Sequence, residues 1–143
     1  MKYIGTLVTI LSLAAGAASA ESHATGNAED GEKGFKKCKA CHLIAKEDGT
    51  EIVKGGKTGP NLYGVVGRVA GSLEGFKYGD SIVALGETGF VWAEEDFVTY
   101  LADPTDFLRT KLDDKKAKSK MSFKLKKQDD ALDIWAYLAS VTE

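Results

Sequence analysis

Residues that form metal clusters or mark domain boundaries are scarce in this chain, which holds two cysteines, two histidines, two prolines and two methionines. A structural zinc site takes four ligands, usually two Cys or His pairs, and here it would have to recruit His23 from a polar N-terminal stretch. There is no internal repeat, low-complexity tract or Pro- or Ser-rich linker, so nothing divides the chain into domains. Apolar runs are confined to the N-terminus, and strand-like alternation is all but missing. A basic excess is missing too. The formal charge is −2, which argues against a nucleic-acid partner.

What is present is concentrated in Cys38-Lys39-Ala40-Cys41-His42. Two thiols three positions apart on a short helix are spaced to bond the two vinyl groups of one porphyrin. The histidine that follows falls where an imidazole nitrogen can ligate the iron. A thioredoxin-like pair would follow a buried apolar strand, and the preceding Glu32-Lys33-Gly34-Phe35-Lys36-Lys37 cannot make one. A structural disulfide would not need the adjacent histidine. Met121 supplies a second indication, because a haem held by His on one face commonly takes Met on the other. A lone methionine is ordinarily core filler. Met121, however, sits in the polar stretch Lys118-Ser119-Lys120-Met121-Ser122-Phe123-Lys124 and needs something to bury against.

Residues 1–20 read as a secretory signal: Lys2, an apolar stretch, then Ala18-Ser19-Ala20, with cleavage after Ala20. The competing reading is an uncleaved anchor, but Thr6, Thr9 and Ser12 interrupt the apolar stretch. Residues 21–28 are polar and expected to be flexible, and residues 29–143 make one domain. Its Gly-rich loops leave a thin core, so an inserted haem would supply much of the apolar surface, and the apo-protein is expected to be loose or unfolded.

Charge is uneven along the domain. Nine basic residues lie between Arg109 and Lys127, against Asp113 and Asp114, whereas six acidic and no basic residues lie between Glu87 and Asp106. Such runs usually form solvated faces. Here they also describe a dipolar molecule whose positive side surrounds Met121.

The pattern predicts an all-α fold of short helices and long loops. A first helix starts near Ala28 or Glu29 and runs into the Cys-x-x-Cys-His motif, with Gly31 and Phe35 on one face. Gly34 inside it costs about 1 kcal/mol relative to alanine. Residues 46–72 read as a Gly-rich loop without regular structure. Asp80 caps a short helix closed by Gly86, and residues 94–102 form the next. Pro104 opens another. Residues 128–141 form the last, with Ala131, Leu132, Trp135, Leu138 and Ala139 as its apolar stripe.

Several segments, in this order, carry a resemblance: the Cys38–His42 motif, Lys57-Thr58-Gly59-Pro60-Asn61-Leu62-Tyr63-Gly64-Val65-Val66-Gly67-Arg68, Phe76-Lys77-Tyr78-Gly79, Trp92, Tyr100-Leu101-Ala102-Asp103-Pro104 and Lys120-Met121-Ser122-Phe123. From Gly31 to Val141 the chain resembles class I c-type cytochromes, and within them the bacterial cytochrome c2 group, including the c-550 type. The resemblance implies the small cytochrome c fold around one haem c bound through Cys38 and Cys41, with His42 and Met121 on the iron. It implies that the Pro60 carbonyl holds the outer nitrogen of His42, and that Arg68, Tyr78 and Trp92 donate to a haem propionate. Tyr100 would lie on the Met121 side, Phe123 would flank the haem edge, and Gly31 and Phe35 would meet the last helix near Trp135 and Tyr137.

By the same resemblance the protein is not an enzyme but a monomeric periplasmic electron carrier. It would run between a cytochrome bc1 complex and a cytochrome oxidase or photosynthetic reaction centre. Lysines around the haem edge (Lys33, Lys36, Lys39, Lys57, Lys118, Lys120, Lys124 and Lys126) would meet acidic docking surfaces. The competing class is a haem enzyme or gas sensor with an open iron position, and a membrane-tethered cytochrome is a third. The chain departs from short mitochondrial-type members by additional residues between Pro104 and Met121, among them Asp113-Asp114-Lys115-Lys116-Ala117-Lys118.

Overall fold

A computed structural model describes residues 24–142. The signal assigned to residues 1–20 lies outside the described residues, as do residues 21–23 and His23 with them. The described chain forms helices α1 (Ala28–Gly34), α2 (Asp80–Glu87), α3 (Glu94–Ala102), α4 (Pro104–Leu112) and α5 (Gln128–Ser140), with a 3₁₀ turn at Phe35–Lys37. Two short strands, β1 (Ile44–Ala45) and β2 (Glu51–Val53), pair antiparallel. No helix among the described residues is long and apolar enough to cross a membrane.

Asn27 starts α1. Its side-chain oxygen accepts from the N–H groups of Glu29 (2.9 Å) and Asp30 (3.1 Å), two of the donors that a helix N-terminus leaves free. The helix tightens into the 3₁₀ turn before the motif, and His42 N–H then bonds the Cys38 carbonyl at 2.9 Å. α1 crosses α5 at Gly31, where a Cβ would stand 1.9 Å from the Asp133 carbonyl oxygen. Only glycine permits that approach. Phe35 then packs on Tyr137, ring centroids 5.8 Å apart. Trp135, between Asp133 and Tyr137 on the same helix, also packs on Phe97 of α3 at 5.1 Å and so ties α5 to α3.

Part of the segment expected to be flexible, residues 24–28, is anchored. Thr25 donates through its backbone and hydroxyl to the Glu94 carboxylate (2.7 and 2.9 Å), and Asn27 N–H donates to Asp133 (2.7 Å). The loop expected at residues 46–72 contains β2. Asp48 accepts from Thr50 N–H at 2.8 Å and Gly49 takes φ 87°, which turns the chain back onto β1. Asp80 does not cap α2. Gly79 is the N-cap, and the helix runs through Gly86 to Glu87. Gly86 is needed inside it because a Cβ there would meet the Ala70 carbonyl at 2.0 Å, and the chain reverses at Gly89 instead, with φ 83°. α3 and α4 abut at Asp103-Pro104. Asp103 caps α4 through Asp106 N–H at 3.2 Å, and Pro104 takes the first helical turn, where its missing N–H costs nothing.

The core is built from Phe35, Leu85, Leu108, Ile134 and Leu138, all essentially inaccessible. An aromatic cluster adjoins it. Trp92 meets Tyr100 edge-on at 5.0 Å and stacks on Phe107 at 6.0 Å, and Phe90 meets Trp92 at 5.4 Å. These helices leave a gap between α3, α5, the motif and the loop carrying Met121.

Candidate haem site

That gap is a cavity of about 690 Å³, within the roughly 300–1,000 Å³ of small-molecule and cofactor sites. Cys38, Cys41 and His42 border it, as do Ser119, Met121 and Phe123. Pro60, Arg68, Tyr78, Trp92 and Tyr100 complete the expected residues around the same space, so every residue expected at the site lines it. Leu62, Val65, Ile82, Phe97, Leu101 and Ile134 add apolar walls.

The motif side is shaped by glycine. The His42 ring lies against Gly59, where a Cβ would stand 2.4 Å from Cε1 and 2.7 Å from Nε2. Gly59 N–H bonds the Cys41 carbonyl (2.8 Å) and Gly56 N–H the Lys39 carbonyl (2.9 Å), so the loop closes directly onto the motif backbone. His42 Nδ1 is 2.8 Å from the Pro60 carbonyl oxygen. A carbonyl only accepts, so Nδ1 carries the proton and Nε2 keeps its lone pair. Burial lowers the His42 pKa from 6.5, against the opposing pull of the Pro60 bond, and favours the neutral imidazole that a metal requires. Burial also pushes the Cys38 thiol up to about 11, and Lys37 beside it opposes the rise. Both cysteines are free thiols rather than a disulfide.

Elsewhere around the cavity, Met121 N–H donates to Ser119 Oγ at 3.0 Å, and the same oxygen pairs with the Tyr100 hydroxyl at 3.2 Å. Burial raises the Tyr100 pKa, with the Ser119 bond opposing, so the phenol stays protonated. Tyr100 thus reaches the Met121 backbone through Ser119, a residue that sequence reasoning passed over. Asn61 was also given no role, yet its side chain accepts from Ala45 N–H (3.1 Å) and Tyr63 N–H (3.0 Å) and donates to the Ala45 carbonyl (2.6 Å). It fastens the Pro60 loop to β1. The Asn beside Pro in a Gly-rich run was the available signal for such a turn.

Arg68 donates to the carbonyls of Tyr63 and Asn61, both at 3.1 Å, and forms no ion pair among the described residues. Burial lowers its pKa, and Tyr78 lies near enough to interact with it. A half-buried guanidinium facing a cavity lined by no carboxylate among the described residues suits a ligand that brings its own anionic group.

Lys57, Lys118 and Lys120 line the cavity as expected, and Lys37 and Lys77 join them. The other expected lysines do not line it. Lys33 pairs with Asp30 at 2.8 Å and Lys124 with Asp103 at 2.5 Å. Lys120 crosses the mouth and donates to the carbonyls of Lys77 (3.1 Å) and Tyr78 (3.0 Å).

The fold and cavity define a small helical protein in which two free thiols, a neutral imidazole and a methionine line one largely apolar cavity. The chain is 64% identical over 118 residues to cytochrome c2 of Rhodobacter capsulatus, covering 82% of this chain and 85% of that one. It is 55% identical over 137 residues to cytochrome c-551 of Roseobacter denitrificans, covering 96% and 95%. The solved structure of the Rhodobacter capsulatus cytochrome c2 matches with a TM-score of 0.77 over 82% of this chain and 100% of that one. No family model matches the chain. The chain belongs to the cytochrome c2 family of class I c-type cytochromes, electron carriers with covalently bound haem c.

Proposed function

We propose that this protein is a periplasmic one-electron carrier with a single haem c, bonded through Cys38 and Cys41 and ligated by His42 and Met121. The observation that carries the reading is that one cavity gathers the two free thiols, a neutral imidazole with its Nε2 lone pair available, and the methionine. When bound, the haem supplies an iron that changes reversibly between two oxidation states. Pro60 orients His42 and strengthens it as a ligand. Ser119 and Tyr100 hold the segment that presents the Met121 thioether. Arg68, Tyr78 and Trp92 donate to a propionate, and Phe123 flanks the haem edge.

Carbonyls and hydroxyls fix these residues in place, so little of the protein need move when the charge at the centre changes. The lysines at the mouth steer encounter with acidic partner surfaces, namely a cytochrome bc1 complex on one side and an oxidase or photosynthetic reaction centre on the other. Such contacts are small and short-lived, which suits a monomeric shuttle. Met121 lines the cavity and, among the described residues, no carboxylate does, which favours a carrier over a haem enzyme with a distal acid/base pair.

An absorption spectrum and intact mass of the purified protein test the reading. Covalent haem, a sulfur-ligand band that disappears in Met121→Ala, and reluctant carbon monoxide binding by the reduced protein are expected. A colourless, compactly folded product overturns it, while ready and complete carbon monoxide binding favours the enzyme or sensor. The same mass reports cleavage after Ala20 or a retained tether. Turnover with an acidic membrane partner is expected to fall as ionic strength rises.

A further inference from the structure

Five large apolar side chains stand in solvent among the described residues, and three of them, Val69, Val83 and Val91, share one face. Val69 and Val91 are opposite each other in an isolated antiparallel bridge, flanked by bonds from Ala70 N–H to Phe90 O (2.9 Å) and from Trp92 N–H to Arg68 O (3.0 Å). α2 lies close against this ladder. A Cβ on Gly86 would be 3.6 Å from Val69 Cγ1, and one on Gly71 would be 3.2 Å from the Val83 Cα. The chain neighbour of each valine, Arg68, Ile82 and Trp92, lines the haem cavity. Each valine of this face is thus one chain position from a residue that lines the cavity.

The rim of this face is acidic. Asp80, Val83 and Glu87 share one side of α2 at i, i+3 and i+7. All three are exposed, and neither carboxylate enters an ion pair among the described residues. The basic loop reaches α2 at the Asp80 end of this rim, where Ser81 accepts from Lys118 N–H at 3.0 Å, while Glu87 lies two turns further along the helix. Lys111, near the Phe90 ring, is tied to Asp96 at 2.6 Å. The cavity mouth has the opposite make-up. There Phe123 is 39% exposed, and Lys57, Lys77 and Lys118 form no ion pair among the described residues.

We propose that the valine face is a second electron-transfer surface, occupied by the lysine-rimmed mouth of another copy of this chain in a short-lived head-to-tail pair. The proposal rests on the carrier reading above. One electron leaves the reduced copy and is taken up by the oxidised copy. No bond forms or breaks, no proton moves, and the two copies exchange redox states. Mouth-to-mouth contact would bring like charges together, whereas head-to-tail contact sets an acidic rim against a basic one around two apolar centres. Such a contact is heterologous and does not close on itself, so it must be small and weak to leave the protein monomeric on average.

The test is electron self-exchange in mixtures of reduced and oxidised holoprotein, read from NMR line widths as ionic strength is raised. The rate is expected to fall, and a rise, the signature of like-charged contact, overturns the proposal. Val83→Lys places a cation in the middle of the face at an exposed helical position where lysine is well tolerated. It is expected to slow self-exchange at low salt by roughly three- to fivefold, without slowing oxidation by the hexacyanoferrate(III) anion. Equal self-exchange in the variant and the parent overturns the proposal. In fully reduced protein, the Val69, Val83 and Val91 methyl signals are expected to shift with protein concentration at low salt, and static signals count against the face. Failure of the reduced protein to pass an electron to hexacyanoferrate removes the carrier reading itself, whereas oxidation by the reagent with salt-enhanced self-exchange removes only the second surface.

Discussion

Gly31 and Gly34 lie three positions apart in one short helix, and the structure assigns opposite signs to the same substitution at each. At Gly31 the added methyl meets Asp133 O at 1.9 Å, Asp133 C at 2.5 Å and Tyr137 Cβ at 2.8 Å. The first two are backbone atoms, so no rotamer change relieves the clash and α1 has to lift from α5. Overpacking of this kind costs about 3 kcal/mol at the upper end of the ordinary range. Alanine's better helix propensity returns about 1 kcal/mol, leaving Gly31→Ala destabilised by about 2 kcal/mol. At Gly34 the methyl meets only the Ile134 side chain, at 3.3 and 3.6 Å. A small rotamer adjustment leaves most of the propensity gain, and Gly34→Ala is expected to be stabilised by about 0.5 kcal/mol. The effect of Gly→Ala on the unfolded chain is common to both variants and cancels in the comparison. Guanidinium unfolding of the holoproteins, followed by far-ultraviolet circular dichroism, measures the difference directly. Equal midpoints, or a Gly31→Ala variant more stable than the parent, would refute the packing argument.

Asn27→Ala removes both bonds to the start of α1 and is expected to cost about 1 kcal/mol, read from the same unfolding curves. Asp103 is held below its ordinary 3.8 by its hydrogen bond from Lys124, and Asp130 by those from Lys127 and then Lys37. A carboxylate depressed in the folded state contributes stability above its unfolded pKa and loses it as pH falls through the folded value. The unfolding midpoint is therefore expected to fall below roughly pH 4, and less steeply in the Asp103→Asn, Asp130→Asn double variant. A parallel decline in both proteins would contradict this. Cys38→Ala with Cys41→Ala removes the covalent tether. Loss of near-ultraviolet dichroism and of a cooperative unfolding transition is expected, because a ligand bound only by the folded state stabilises it. A cooperative, native-like transition would show that the core stands without its cofactor.

The parts of the site with unusual residue chemistry were legible in the sequence. Cys38, Cys41 and His42 announce themselves by spacing, and Met121 by sitting where a methionine has no ordinary reason to be. The helices carrying continuous apolar stripes were legible too, with α5 ending one residue earlier than expected. The β1–β2 hairpin was not, because strands of two and three residues are too short to show alternation. Ser119 was hidden because a serine in a polar loop looks like every other, and its role depends on Tyr100 lying across from it. Which of the expected lysines are tied to a carboxylate was not legible for a similar reason. Whether an ammonium is free depends on its neighbours in space, and the Asp103 that holds Lys124 is 21 positions away. The Asp30–Lys33 pair, by contrast, could have been read from its i, i+3 spacing.

The bond from Asn27 to Asp133 joins residues 106 positions apart, and the α1–α5 crossing beside it spans almost the whole domain. At roughly 5–20 residues per second of synthesis, the beginning of the domain waits several seconds for its partner. During that interval α1, at seven residues, is too short to persist as an isolated helix in water. A polypeptide whose two ends must meet to finish folding stays threadable until its last helix exists. Until α5 has been made, the thiols of Cys38 and Cys41 stay open to whatever reacts with them.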